Sequence, residues 1–555
     1  MTIIINIMMR LNAKRGFNSI KIPMEHNGEG AQTIIIDISC QVSMDFKLFA
    51  IDSSETENKD KCASSDTSVS YSPIYNEVPA TKTYSIDVLH ENVVILLCFH
   101  SPKNTQVEVT NIQKRHLSKC EFPLSNDYNT FISKKEYPTW RDLVQDDITI
   151  KKHDSNVYPL IESTYNKDEI LAMMDVLITD KLTMGENVSN FEKDFAKYVG
   201  SKYAIMVNSG SSANLLSMAV ATNPYRNNHL KPGDKVIVPN VCWSTSVFPI
   251  IQMNLVPVFV DVDPQTLNMD INHLKSIMCP EIKGIVAVHI LGNSTNMNEL
   301  MKIVKENNLF LLEDTCESLG STYNNKVLGT FGDFGSYSFY YSHHITTVEG
   351  GMVVCNNDAD YELLKCIRAH GWTRYLKDKE LIENTHTDID PRFLFVNTGY
   401  NLRPMETQGA MGIIQLKKLD EKNKNRVTNY NNISNKLLSD NRNKGYFSVP
   451  TATNNCSPAW CCMPMIMSSE TCHLYKEFLS YLTEKGVENR PIVTGNFSRQ
   501  PVCKKFIKDS IDPDTFVGAE ILHKQSFFIG LPCEEMTSDR VEKLINIIFD
   551  FDFSQ

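Results

Sequence analysis

The 555-residue sequence reads Ser338-Phe339-Tyr340-Tyr341-Ser342-His343-His344-Ile345-Thr346-Thr347-Val348-Glu349-Gly350-Gly351 at its most informative stretch. Two adjacent histidines lie between an aromatic run and a β-branched run that ends in paired glycines. Strand residues that flank a short polar turn bring side chains to the rim of a sheet, where chemistry is usually done. For a bare His-His pair the ordinary interpretation is one core and one solvent histidine, and the neighbouring sequence changes it.

A buried strand and a turn of small residues lie upstream of this stretch. Tyr203-Ala204-Ile205-Met206-Val207-Asn208 is a continuous apolar run, as expected of a parallel strand that is buried on both faces. It ends in Ser209-Gly210-Ser211-Ser212, which begins a helix. The free N–H groups and the dipole at a helix N-terminus favour a phosphate. The same residues also form an ordinary N-cap, so this pattern alone leaves both interpretations open.

Two further strand ends carry candidate functional side chains. Trp243 follows the strand over residues 235–239, where its flat face suits either stacking on an aromatic ring or packing in the core. Asp314 ends the strand over residues 310–314. A carboxylate there either caps the following turn or keeps the nitrogen of a pyridine cofactor protonated, so that the ring acts as an electron sink.

Taken in order, these segments resemble the DegT/DnrJ/EryC1/StrS family from about Pro159 to the C-terminus. The family signature reads Ser-Phe-x-x-x-Lys-x-x-Thr-x-Gly-Glu-Gly-Gly, and its lysine holds pyridoxal phosphate (PLP) as a Schiff base. His343 stands at the position of that lysine, and the sugar 3-dehydratase branch of the family likewise carries His-His-Ile there. Several motifs in the same order make chance a poor explanation.

The resemblance implies an α/β architecture of PLP-dependent transferase fold type I, similar to aspartate aminotransferase, with a mostly parallel seven-stranded sheet. We expect a large cofactor-binding domain over residues 156–420 and a smaller C-terminal α/β domain over residues 421–555. Residues 1–155 do not match the family. Their short β-leaning runs predict an extra β-rich domain, a sandwich or barrel, with a linker. A sugar- or nucleotide-binding role and a packing role both stay open for it.

The resemblance also implies which residues form the site. His343 is the expected catalytic base, because adjacent side chains on a strand point to opposite faces. The residues expected to bind the cofactor are Gly210, Ser211, Ser212, Trp243, Asp314, Glu317, Ser338 and Asn401, the last in a loop that reaches across a dimer interface. The residues expected to bind the substrate are His370, Arg374 and Arg403. The segment that holds His370 and Arg374 binds phosphates or the carboxylate of glutamate, or is a plain solvated helix end.

Histidine changes the implied reaction, since lysine can return an amine to a substrate carbon and histidine cannot. The resemblance implies a dehydratase that uses pyridoxamine phosphate (PMP), regenerated from PLP with glutamate, to remove the C3 hydroxyl of a nucleotide-linked 4-keto-6-deoxyhexose. An imidazole of near-neutral pKa suits the base. The nucleotide, GDP or CDP, stays open, and a homodimer is expected. The alternatives are an aminotransferase, with Lys326 as the nearest replacement lysine, and a non-catalytic pseudoenzyme, which has no need of Asp314.

The cysteines and the net charge argue against a metal cluster, a disulfide framework and nucleic-acid binding. Some of these dehydratases use a [2Fe–2S] cluster, for which Cys316 is a candidate ligand. The compact Cys-x-Cys expected after Arg374 is missing, so we predict no cluster and no other metal. Fifteen scattered cysteines indicate reduced cytosolic thiols. A net charge of −11 argues against non-specific nucleic-acid binding, and no apolar run reaches the length of a membrane span. We therefore expect a cytoplasmic protein.

Overall fold

A computed structural model describes residues 158–507 and 511–554 of the protein, together with nine short strands between residues 2 and 110. The chain divides into two compact units, Met1–Tyr137 and Pro138–Gln555. The predicted domain boundary between residues 155 and 156 lies outside the described residues and stays a prediction.

The first unit contains short β-strands. Their bounds are β1 Thr2–Ile7, β2 Ile20–Met24, β3 Gln32–Ile36, β4 Val69–Tyr71, β5 Ile74–Tyr75, β6 Val78–Pro79, β7 Lys82–Tyr84, β8 Ile95–His100 and β9 Val109–Thr110. The pairs β1–β8, β2–β3, β4–β7, β4–β9 and β5–β6 are antiparallel. These strands carry the β-rich character that the sequence predicts for this region, whereas a closed sandwich or barrel stays a prediction.

The second unit alternates strands with helices. Its strands are β10 Tyr203–Val207, β11 Lys235–Pro239, β12 Val256–Val260, β13 Val262–Asp263, β14 Asn268–Met269, β15 Ile282–Val288, β16 Phe310–Asp314, β17 Thr322–Tyr323, β18 Lys326–Val327, β19 Phe334–Ser338, β20 Gly351–Cys355, β21 Phe447–Ser448, β22 Cys456–Ser457, β23 Cys462–Met467, β24 Asn489–Pro491 and β25 Ser526–Gly530.

Its α-helices are α1 Lys167–Ile178, α2 Glu186–Val199, α3 Gly210–Ala221, α4 Ser244–Gln252, α5 Ile271–Ile277, α6 Met297–Glu306, α7 Asp358–Arg368, α8 Lys379–Thr385, α9 Glu406–Ser439, α10 Tyr475–Glu484, α11 Pro501–Phe506, α12 Val517–Gln525 and α13 Ser538–Phe549. None of the helices in the described ranges combines the length and the apolar character that a bilayer crossing requires.

The central sheet has seven strands in the order β10-β20-β19-β16-β15-β11-β12. β20 pairs antiparallel with β10 and β19, and the remaining neighbours pair parallel. Every residue of β16, β19 and β20 is buried, which explains why their sequences do not alternate between apolar and polar residues. The exceptions to their apolar or small character are Glu313 and Asp314 at the end of β16. The predicted mostly parallel seven-stranded sheet is confirmed.

The carboxyl ends of the parallel strands form the edge at which the candidate site lies. β10, β16 and β19 end at Val207, Asp314 and Ser338, and parallel strands bring their carboxyl ends to the same edge of a sheet. Ligands of open α/β sheets bind outside this edge. The motifs that the sequence analysis singled out therefore come together here.

An aromatic cluster packs α2 beneath the loop that follows β19. The Phe195 ring lies 5.0 Å from that of Tyr337 and 5.5 Å from that of Phe339, centre to centre. Phe191 and Ile345 belong to the same buried cluster. The loop with the two histidines therefore packs on a buried apolar cluster.

A second core belongs to the C-terminal part of the chain. The antiparallel sheet β21-β23-β25-β24 packs with the end of α9, with α10 and with α13 around Phe478 and Phe527. Tyr158, from the start of the described segment, also lies in this core. The 34-residue helix α9 runs across the predicted boundary between residues 420 and 421, so the two cores share one continuous helix.

Phe195→Ala should destabilise the fold by about 3–5 kcal/mol, because the ring is fully buried and its loss leaves a cavity. Urea unfolding followed by circular dichroism measures the change. Phe506→Ala is the matched control, since Phe506 is 62% exposed, and it should change stability by less than about 0.5 kcal/mol. Equal stability of the two variants would contradict this packing.

Candidate active site

The turn between β10 and α3 is built to accept an anion. Ser209 caps α3, since its Oγ accepts a hydrogen bond from the Ser212 N–H at 3.1 Å. The first N–H groups of a helix have no partner within it. A Cβ on Gly210 would lie 2.5 Å from the Cβ and 2.9 Å from the Oγ of Ser338. Only glycine therefore fits at the start of α3, and the Ser338 hydroxyl lies beside this helix N-terminus.

Asp314, at the end of β16, has a buried carboxylate held by three donors. Its Oδ2 accepts hydrogen bonds from Asn214 Nδ2 and Ser246 Oγ, both at 2.7 Å. Its Oδ1 accepts one from the Cys316 N–H at 3.2 Å. Ser336 Oγ in turn donates to Asn214 Oδ1 at 2.5 Å. These bonds fix the direction of the carboxylate. Asp314 caps the following turn through Cys316, and it also binds two side chains from two helices.

Trp243 is the residue that immediately precedes α4, and its side chain is 57% exposed. Core packing, the alternative left open by the sequence, is thereby excluded. In the first turn of α4, Thr245 Oγ1 accepts a hydrogen bond from Ser211 Oγ at 3.3 Å. The N-termini of α3 and α4 therefore lie side by side, with an exposed indole next to the anion-accepting turn.

The two histidines lie in a loop over residues 339–350, the histidine loop, and not on a strand. β19 ends at Ser338 and β20 begins at Gly351. The loop is closed by hydrogen bonds from the Phe339 N–H to the Gly350 carbonyl at 2.9 Å and from the Thr347 N–H to the Phe339 carbonyl at 3.0 Å. The strand argument for opposite side-chain directions is therefore wrong, because no strand continues through this segment.

The surroundings of the two imidazoles nevertheless differ. His344 is fully buried, and its Nε2 hydrogen-bonds the Ala459 carbonyl at 2.7 Å. Burial and the charge of Arg426 lower its pKa to about 3. The His343 ring meets the Tyr340 ring edge to face, with centres 6.1 Å apart. His344 is thus part of the fold, whereas His343 is only half-buried.

Desolvation lowers the pKa of His343 to about 4, and the Asp314 carboxylate opposes this shift. The expectation of a near-neutral pKa is therefore wrong for this environment. The lowered pKa favours the neutral form of the His343 imidazole at pH 7, and it also makes this imidazole a weaker base than a free one. Its electrostatic contact with Asp314 also places the predicted base and the predicted cofactor acid within one site.

Glu317 is a second titratable group beside Asp314. Its Oε2 accepts a hydrogen bond from the Leu291 N–H at 3.0 Å. Burial raises its pKa to about 7, an effect that the Leu291 N–H opposes and the charge of Asp314 reinforces. Both protonation states of Glu317 are therefore populated near neutral pH.

Trp372, which the sequence analysis did not select, gathers the predicted substrate-binding residues. The His370 ring lies 4.8 Å from the indole, and the guanidinium carbons of Arg374 and Arg403 lie 4.4 and 5.8 Å from the centre of a ring. Arg403 Nε also donates to Asn401 Oδ1 at 2.9 Å. One aromatic side chain thus holds two guanidiniums and an imidazole together, the donor set that a diphosphate or carboxylate requires.

The loop that carries Asn401 and Arg403 passes the phosphate turn of its own chain. The Asn208 N–H donates to the Leu402 carbonyl at 3.1 Å, one residue before Ser209. Asn208 Oδ1 is buried and has no hydrogen-bond partner in the described structure. The cation cluster and the turn are therefore connected by the backbone.

Lys326 and Cys316 are the residues for which the sequence left alternative roles, and the absence of a cluster stays a prediction. Lys326 lies on β18, in the small sheet β18-β17-β22, and its Nζ is 4.4 Å from the ring centre of Phe331. Burial and the Asp314 charge raise the pKa of the Cys316 thiol. Within residues 158–507 and 511–554, no group of three or more His, Cys, Asp or Glu side chains is arranged to hold a metal ion.

The residues at this edge fit a pyridoxal-type cofactor. The turn at Gly210 and Ser338 suits its phosphate, the exposed Trp243 suits its ring face, and the Asp314 carboxylate suits its pyridine nitrogen. A seven-stranded, mostly parallel sheet with this edge defines a PLP-dependent enzyme of fold type I.

Comparison with known proteins identifies the group within this class. The sequence profile of the DegT/DnrJ/EryC1/StrS aminotransferase family matches residues 163–549, and the chain belongs to this family. It is 42% identical over 375 residues to GDP-4-keto-6-deoxy-D-mannose 3-dehydratase from Escherichia coli O55:H7, which covers 67% of this chain and 95% of that protein.

Two solved structures are also similar. One is a variant of GDP-4-keto-6-deoxymannose-3-dehydratase with bound GDP-perosamine, at 40% identity and a TM-score of 0.63, covering 70% of this chain and 100% of that one. The other is GDP-4-keto-6-deoxymannose-3-dehydratase with a trapped PLP-glutamate geminal diamine, at 39% identity and a TM-score of 0.66, with the same coverage.

Two polar residues and one aromatic residue of the site were missed by the sequence analysis. Asn214 and Ser246 lie near the N-termini of α3 and α4, and Trp372 lies beyond α7. The only signal for Asn214 and Ser246 was their position just after a strand-turn-helix motif. Trp372 lies between His370 and Arg374, so an aromatic residue flanked by basic residues was its signal.

Gly210→Ala should weaken PLP binding about tenfold or more, because overpacking costs about 1–3 kcal/mol and the new methyl group meets Ser338. Absorbance titration with PLP measures the affinity. Gly210→Ala combined with Ser338→Gly removes the two nearest atoms, so thermal stability should recover in part. Wild-type affinity of Gly210→Ala would show that the turn can move freely.

The free energy of unfolding of the variant Glu317→Gln should rise relative to that of the wild type as pH increases. The folded-state pKa of Glu317 is raised from 4.5 to about 7, so the folded wild-type chain holds a proton that the unfolded chain has lost. The wild type therefore loses stability between these pH values, by at most about 3 kcal/mol, and the glutamine variant does not. Urea unfolding of the cofactor-free protein from pH 5 to 8 tests this, with the exposed Glu306→Gln as control. A difference that does not vary with pH would contradict it.

Proposed function

We propose that this protein is a PLP/PMP-dependent 3-dehydratase that removes the C3 hydroxyl of a nucleotide-linked 4-keto-6-deoxyhexose, with glutamate as the amino donor that regenerates PMP. The observation that carries the proposal is that His343, whose ring meets that of Tyr340, stands at the position where the family signature has lysine. A lysine at this position would favour amino transfer, whereas an imidazole favours proton transfer.

His343 is the proposed general base and acid. Its lowered pKa of about 4 favours the unprotonated imidazole at pH 7. After it has accepted a proton, the imidazolium is a strong acid, and it returns the proton to the departing C3 hydroxyl. The positive charge formed in between is stabilised by Asp314.

The remaining residues bind and orient. Gly210, Ser211, Ser212 and Ser338 hold the cofactor phosphate, and Trp243 covers one face of the ring. Asp314 keeps the pyridine nitrogen protonated, with Glu317 close to the ring. When bound, PMP supplies an amine that condenses with the C4 ketone and a ring that accepts electrons as the C3 hydroxyl departs.

GDP is the proposed nucleotide, since the relatives named above act on a GDP-linked sugar or bind one. The cluster of His370, Arg374 and Arg403 around Trp372 is the proposed site for the diphosphate or for the glutamate carboxylate, both of which guanidinium groups bind with two parallel hydrogen bonds. Glutamate is supported by the PLP-glutamate adduct of the relative.

A homodimer with shared active sites is proposed as the working form. Apolar side chains next to the histidine loop support it: Val348 is 55%, Met405 52% and Leu182 45% exposed. Exposed apolar patches of this kind mark association surfaces. Asn401 is then the residue that reaches the neighbouring cofactor site. The cytoplasm is the proposed compartment, where thiols stay reduced.

Incubation with GDP- and CDP-4-keto-6-deoxyhexoses, PLP and glutamate tests the activity, with mass spectrometry as the readout. A product that has lost the C3 oxygen from the GDP sugar is expected. Gain of an amine would instead identify an aminotransferase, and an unchanged sugar in the presence of bound PLP would identify a pseudoenzyme.

His343→Lys should give a yellow protein with PLP attached through a bond that borohydride makes permanent, and its dehydration rate should fall about 10²–10⁴-fold, as is usual for loss of a general base. Mass spectrometry of the reduced protein and single-turnover kinetics measure the two effects. His343→Asn is the control, with the same loss of rate and no attached PLP. Full dehydration by His343→Asn would show that another group is the base.

A further inference from the structure

Two glutamine side chains of α9 hold the histidine loop from below. The carboxamide of Gln415 accepts a hydrogen bond from the Thr346 N–H at 3.1 Å through Oε1 and donates to Glu169 Oε1 at 2.6 Å through Nε2. The carboxamide of Gln408 donates to the Glu349 carbonyl through Nε2 and accepts from the Met405 N–H at 2.8 Å through Oε1. Residues seven apart lie on the same face of a helix, so one face of α9 anchors both sides of the loop tip.

Val348, between these two anchor points, has a left-handed backbone with φ of +71°. For a β-branched residue this conformation is an outlier, since Cβ approaches the following carbonyl oxygen. The side chain is 55% exposed, so its packing within the chain offsets little of the strain. Strained residues persist where the surrounding structure over-determines them, and they cluster at functional sites.

Local hydrogen bonds hold Val348 in its left-handed conformation. The Val348 N–H donates to Thr346 Oγ1 at 2.9 Å, and Thr347 Oγ1 donates to the Glu349 carbonyl at 2.7 Å. The latter carbonyl is also the acceptor for Gln408. Release of the Gln408 bond removes one restraint while the strain stays, so the tip would relax toward an extended backbone at Val348.

We propose that Gln408 and Gln415 are positioning residues of the dehydration reaction, which hold the histidine loop closed against the strain at Val348 and thereby fix His343. The proposal rests on the proposed function of His343 as the base. Neither glutamine touches the reacting atoms. Their effect passes through the loop backbone, from Thr346 and Glu349 to the imidazole.

The sharpest variant is Gln408→Glu. The carboxylate keeps an oxygen that accepts from the Met405 N–H, as a helix N-terminus prefers, but it has no N–H for the Glu349 carbonyl. It therefore separates support of the helix from support of the loop. Gln408→Ala is the second variant, in case a buried carboxylate at 408 is tolerated poorly. Val348→Gly removes the strain, and Val348→Thr keeps the β-branch and is its matched control.

Hydrogen exchange of the holoenzyme and of the PLP-free protein is followed by mass spectrometry over residues 339–351, together with steady-state kinetics. Gln408→Glu should speed exchange of the Phe339 and Thr347 amides about tenfold, the effect of one lost hydrogen bond. It should lower kcat by a similar factor and change KM less than about threefold. Adding Val348→Gly should restore protection and kcat about fivefold, because relief of left-handed strain exceeds the added freedom of glycine, and adding Val348→Thr should restore neither.

Two results would overturn the proposal. If Gln408→Glu leaves exchange of the loop unchanged, the carboxamide does not hold the loop. If Val348→Gly restores neither exchange nor kcat, the strain is not what the glutamines oppose. The exchange readout does not depend on which residue is the base, so an error in the role of His343 would appear as a restored loop without a change in kcat.

Discussion

The buried carboxylate of Asp314 is the constraint on which the rest of the site depends. A carboxylate at the end of a central strand is costly to bury unless donors surround it. Here the donors come from α3 and α4, through Asn214 and Ser246. The need to satisfy one acid therefore draws two helix N-termini to the same sheet edge, where an anion and an aromatic ring can bind between them.

The parts of the fold that were predictable from sequence are those with a local signal. Continuous apolar strands and the small-residue turn at Gly210 are visible within a few residues, and the family signature located His343. The direction of each imidazole was not predictable, because His344 is oriented by Ala459, which is distant in sequence. Gln408 and Gln415 were missed for the same reason, since the loop groups that they bind lie far away in sequence.

The two neighbouring histidines illustrate how environment divides one residue type into two roles. Desolvation favours the neutral form of both imidazoles. His344 is fully buried and bound to a carbonyl in the core, whereas His343 is half-buried and its ring meets that of Tyr340. The first fixes the loop to the C-terminal part of the chain through Ala459. The chemistry proposed for His343 would therefore depend on a structural contact made by its neighbour.

Helix α9 has a mechanical consequence. Its 34 residues make a rod of about 50 Å, which begins at the Gln408 anchor and ends in the C-terminal core with Leu437. A hinge between residues 420 and 421 would break its internal hydrogen bonds, so bending there is unfavourable. Because the helix moves as a rigid body, a small rotation of the C-terminal core displaces the other end of α9, where Gln408 contacts the loop.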